Sequence, residues 1–90
     1  MPNPMMPDYL RALGVRRAAD LDVRPLLARG EEPFDAIMRA TDALAGDEAL
    51  HLIAPFAPRP LYDVMRRRGC SAYTRNEGSV FHVWFYRAAS

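Results

Sequence analysis

Ninety residues, half of them hydrophobic and 10% aromatic, are enough for one domain with a real core and too apolar for wholesale disorder. A single cysteine excludes an internal disulfide and points to a reducing compartment, and no apolar run is long enough to span a bilayer, so the chain reads as cytoplasmic with no membrane partner. All 12 basic residues are arginine, so chemistry that needs a lysine amine, a Schiff base or a phosphate-binding P-loop, is excluded, and a net charge of +1 offers little field for nucleic acid.

In chain order, the proline-rich "MPNPMMP" reads as a loose arm, and "DYLRALG" from Asp8 as a short helix stopped by Gly14. "AADLDVR" alternates, with Leu21 and Val23 on one side and Asp20, Asp22 and Arg24 on the other, which predicts a half-buried strand ending at Arg24. After Pro25 and a connector, "EEPFDAIMRATDALAG" sets Phe34, Ile37, Met38, Thr41, Leu44 and Ala45 on one helical face. Pro33 suits its first turn and Gly46 its end. "EALHLIAP" is a second strand and "PRPLYDVMRRRG" a second helix, with Leu61, Val64 and Met65 on its apolar side. "CSAYTRNEGSVFHVWFYR" predicts two strands of a hairpin turning at Asn76 to Ser79.

The order β-α-β-α-β-β, with right-handed crossovers, makes the first three strands parallel and places both helices on one face. The fourth strand fits between the second and third. The expected fold is α+β: a two-layer α/β sandwich with a four-stranded mixed sheet of order 1-2-4-3, two helices on one face, an arm over residues 1–19 and one domain over residues 20–90.

"LDVR" (Leu21 to Arg24), "GEEPF" (Gly30 to Phe34) and "APRPL" (Ala57 to Leu61), in that order and spacing, resemble the TusA/SirA-like proteins. The closest likeness is to their uncharacterised branch, catalogued as a domain of unknown function. Active members of that family carry sulfur as a persulfide on the cysteine of a C-P-x-P motif at the start of the first helix. Here the matching positions are Gly30, Glu31, Glu32 and Pro33. Only the last proline survives, so sulfur relay does not carry over. Acids at that helix start complement the dipole and would repel a further anion.

Other groups bear on chemistry. Cys70 follows the arginines of "RRRGC" and begins the third strand, at the opposite sheet end from the β-to-α loops, which favours a structural thiol over a reactive one. "RRR" complements a helix C-terminus and has no interleaved aromatics to stack bases. "PRP" opens a helix with Arg59 among its free amides, and helix initiation by proline and an anion site stand level there. His51 and His82 alternate onto the sheet face away from the helices. They are weak metal candidates only, because no third ligand is evident, and they read as coincidental surface histidines.

The functional expectation is a non-enzymatic binding module with no cofactor, engaging a protein partner or a small anionic ligand. Its expected site gathers Arg24, Glu32, Pro33, Arg59 and Pro60 and leaves out Cys70. The alternative is a sulfur-handling or redox protein using Cys70; nucleic acid is not an expected partner. Ile53, Val80, Trp84 and Tyr86 form an aromatic patch on the open sheet face, which either a second copy (a homodimer) or the folded-back arm with Met5, Met6, Tyr9, Leu10 and Leu13 would cover.

Overall fold

The computed structural model describes residues 6–87; the first five residues, Met5 among them, and residues 88–90 lie outside the described residues. The elements are α1 (Asp8–Ala12), β1 (Arg17–Asp22), α2 (Arg24–Ala28), α3 (Phe34–Asp42), β2 (Glu48–Ala54), α4 (Arg59–Arg67), β3 (Cys70–Glu77) and β4 (Val80–Arg87). The sheet has the order β1-β2-β4-β3. β1 and β2 run parallel, while β4 is antiparallel to both β2 and β3. The inserted β4 follows from two constraints: a tight hairpin must return antiparallel, and the long apolar run Val80–Tyr86 needs cover on both faces and both edges. Gly78 takes a φ of +65°, in the first central position of the two-residue turn between Glu77 and Val80, where a side chain would be strained.

Helices α3 and α4 cover one sheet face. Leu50, Leu52, Ala54, Val83 and Phe85 point into that layer and meet Ile37, Leu61 and Met65, with Val23 and Cys70 closing the ends. Thr41 is fully buried in it because its hydroxyl donates to the Ile37 carbonyl at 2.8 Å, which satisfies the donor within its own helix. Two boundaries differ from the expectation. Arg24 does not end β1 but starts α2, a five-residue helix with Pro25 in its first turn, too short for a 3.6-residue period to show. α3 stops at Asp42 rather than reaching Gly46; Leu44 then bonds back to Thr41, and the Glu48 carboxylate accepts from the Ala45 amide at 3.1 Å.

The second sheet face is covered by the chain itself. Met6, Leu10 and Val15 pack on Ala49, Trp84 and Tyr86, with Ala18 and Tyr73 at the margin. Tyr9 stacks on Tyr73 with ring centroids 5.6 Å apart, and its hydroxyl bonds Tyr86. Burial, and then that bond, push the Tyr86 hydroxyl above its ordinary value. Of the four residues expected on an open face, Trp84 and Tyr86 therefore lie beneath the arm, while Ile53 and Val80 remain half-buried at the other end of the strands. No helix among the described residues is long and apolar enough to cross a membrane.

Candidate functional site

Parallel β1 and β2 deliver their following segments, α2 with the loop after it and the start of α4, to one edge of the sheet. A groove of about 280 Å³ opens there, lined by Leu27, Pro33, Phe34, Phe56, Pro60 and Val64, with Ile37, Pro58 and Leu61 deeper in and Glu32 as the one charged wall. Phe34 is 42% exposed and Phe56 50%, so two large rings stand at the mouth. Helical spacing predicts Phe34 on the core face of its helix. It sits instead in the first turn, beyond the reach of the sheet.

Of the expected site residues, the groove brings together Glu32, Pro33 and Pro60. Arg24 and Arg59 do not line it. The Arg24 guanidinium is held by Asp22, with Nη2 to Oδ2 at 2.7 Å and Nε to Oδ1 at 2.9 Å, and this contact lowers the Asp22 carboxyl below its usual range. Arg59 lies exposed at the start of α4. The two helix starts offer an anion little. At α3 the Glu32 carboxylate already accepts from the Phe34 amide at 3.1 Å. At α4 the Arg59 and Leu61 amides are taken by the Ala57 and Pro58 carbonyls, and Pro60 has no N–H. Arg29 pairs with Glu31 beside the groove.

Two of the three arginines in the run are likewise occupied: Arg66 pairs with Asp63 at 2.6 Å and Arg68 with Asp42 at 2.7 Å. Cys70 is buried at the start of β3, opposite Arg87 and at the far end of the sheet from the groove. A thiol so placed is inert as a small core residue. Its alkylation at neutral pH is expected to run at least about tenfold slower than that of a free model thiol. A rate matching or exceeding the free thiol would return Cys70 to consideration as a reactive group.

The histidines depart furthest from expectation. They are not surface residues. His51 is 1% exposed and His82 7%, and they are joined in a row that takes one side chain from each strand. Asp20 of β1 meets His51 Nδ1 at 2.8 Å, His51 Nε2 meets His82 Nδ1 at 2.8 Å, and His82 Nε2 meets Glu77 of β3 at 3.1 Å. Register produces the row: Asp20 is the Cα partner of His51, and His82, partner of Ile53, sits diagonal to His51. The contacts run in line and do not converge on a point, and no group of three or more ligating side chains able to hold a metal occurs among the described residues. The Trp84 ring lies parallel to His51 at a centroid distance of 4.5 Å, with the Arg75 guanidinium 5.7 Å above it. The buried Trp84 Nε1 finds no acceptor among the described residues.

Burial is the larger influence on His51 and lowers its pKa below the ordinary imidazole value, against the opposing pull of Asp20. An imidazole lowered on folding binds its proton more readily in the unfolded chain. Its contribution to stability is thus fully present above a pH of about 6.5 and is lost as the pH falls through the folded value. Asp20 and Glu77, which complete the row, are not among the residues that sequence reasoning selects. Alternation places Asp20 only on the polar side of its strand, and the 1-2-4-3 order puts that position beside His51.

A comparison with protein families matches residues 20–87 to one described as "Uncharacterized conserved protein (DUF2249)". No curated protein and no solved structure matches the chain.

Proposed function

The chain belongs to the DUF2249 family of uncharacterized conserved proteins, and we propose that it is a non-enzymatic binding module, TusA-like in plan, whose groove takes apolar side chains of a protein partner. The observation that carries this reading is the pair Phe34 and Phe56, half-exposed across a groove that is otherwise proline and aliphatic. Exposed rings on a small monomer are costly unless something covers them, and aromatic anchors in a pocket concentrate binding energy. The same groove is poorly suited to a small anion. Its charged wall is Glu32, the neighbouring Arg24 and Arg29 are paired with carboxylates, and the first amides of both helices are capped or bonded.

Selection of a displayed random-peptide library on the full chain tests this. The expected outcome is enrichment of uncharged or basic peptides carrying two or more large apolar side chains. Their binding should weaken at least about tenfold in Phe56→Asp, the loss that removing one aromatic anchor brings. Enrichment of acidic peptides, or binders indifferent to both Phe34→Asp and Phe56→Asp, would overturn it.

A further inference from the structure

Four large apolar side chains stand exposed among the described residues, and they fall into two pairs. Phe34 and Phe56 flank the groove. Tyr9, 54% exposed, and Leu13, 37% exposed, belong to α1 and its C-terminal cap, four residues apart, the spacing that sets two side chains on one helical face. The charges beside the two pairs differ in sign. Glu32 is the one charged wall of the groove. At the foot of α1 a hollow of about 380 Å³ is lined by Arg11, Gly14, Val15 and Arg16. Asp8, at the other end of α1, comes no nearer to Arg11 than 3.9 Å, and Arg16 makes no ion pair among the described residues.

We propose, resting on the groove reading above, that the partner is a second copy of this chain: α1 of one copy docks in the groove of the next. Leu13 and Tyr9 meet Phe34 and Phe56, and Arg11 and Arg16 meet Glu32. Apolar surface is matched to apolar surface and cation to acid, so the contact has one register and one direction. The docking element is held ready before it binds. Leu10 anchors α1 on the sheet, and the Tyr9 ring is fixed by its stack on Tyr73 and its bond to Tyr86. A copy cannot fill its own groove. α1 lies on the sheet face opposite α3 and α4 and leads into the start of β1, whereas the groove opens past the ends of β1 and β2. Two different patches make the contact heterologous: each copy gives α1 to one neighbour and its groove to another, and assemblies larger than two can grow. With two apolar anchors on each side, the contact is of the small, transient kind and belongs to high protein concentration.

Sedimentation of the full chain between about 10 µM and 1 mM, the range in which weak contacts become populated, tests this. The expected result is a mean mass that rises with concentration and does not level off at two chains. Leu13→Asp and Phe56→Asp each change an exposed side chain, circular dichroism checks the fold, and each alone should weaken association at least about tenfold. Arg16→Glu should weaken it as well. Mixed in equal amounts, Leu13→Asp, with its groove intact, and Phe56→Asp, with its α1 intact, should pair as strongly as the wild type and stop at two chains. A wild type that stays monomeric throughout, or a mixture that associates no better than its components, overturns the proposal. So does association unchanged by both Leu13→Asp and Arg16→Glu. If the wild type is monomeric while the selected peptides bind and are lost in Phe56→Asp, the second copy falls as occupant and the groove reading stands. If those peptides are absent too, both fall.

Discussion

Leu10→Asp is expected to unseat the arm, lower the melting temperature by about 10 °C or more, and turn the protein into a self-associating species. Leu10 is fully buried although it lies in a five-residue helix that could not persist alone. Its order comes from the sheet: with Met6 and Val15 it seals Trp84, Tyr86 and Ala49. Truncating a buried leucine costs about 2–5 kcal/mol, and a charge in its place adds a desolvation penalty. For a domain of this size each kcal/mol is worth roughly 4–8 °C, which sets the expected fall. Once the arm lifts, a contiguous aromatic face lies open, and a second copy is the nearest cover for it. Thermal melting and light scattering of the wild type and the variant measure both effects. An unchanged melting point with no association would show that the arm contributes little to this face.

The sheet order is legible in the sequence because few topologies satisfy the pattern. Leu21 and Val23 alternating, two proline-started helices and a terminal hairpin give the element order, right-handed crossovers make the first three strands parallel, and seating the returning fourth strand between the second and third completes 1-2-4-3. The stretch from Asp8 to Gly14 marks α1, and the φ of +94° at Gly14 is the stop expected of glycine. What the sequence does not separate is the cover of the second face. A second copy and the arm bury the same apolar atoms, and hydrophobicity is not directional. Only the chain path through Val15 and Arg16, where the Arg16 amide reaches the Asp47 carbonyl at 2.8 Å, brings the arm over the sheet.

The site is legible as a place more than as a chemistry. Parallel β1 and β2 fix the edge where Glu32, Pro33 and Pro60 meet, and that much follows from topology. The sign of the ligand does not. Arg24 suggests an anion until Asp22, two residues earlier, is seen to hold it, and nothing in the stretch "APFAP" marks Phe56 as an exposed ring. His51 and His82 mislead for a related reason. A histidine on a polar-alternating face reads as solvent-exposed, and nothing local signals that Asp20, 31 residues away, supplies its partner. Long-range polar pairs carry no periodicity, so they surface only after strand register is known.

Replacing His82 by leucine is expected to cost about 1–3 kcal/mol, because it strands a buried acceptor more than because it removes a contact. In that variant His51 Nε2, enclosed beneath Trp84, loses its partner. The double variant His51→Leu/His82→Leu buries no imidazole at all, and Glu77, half-exposed, turns to solvent. Its loss should therefore fall short of the sum of the two single losses by about 0.5–3 kcal/mol, the range seen for residues that share one network. Urea denaturation of the wild type, both single variants and the double variant closes the cycle, with the pH held near 7, on the neutral side of the lowered His51 of the wild type. Additive losses would mean that the two rings stabilise the sheet separately, by packing on Trp84, and that the hydrogen bond between them contributes nothing of its own.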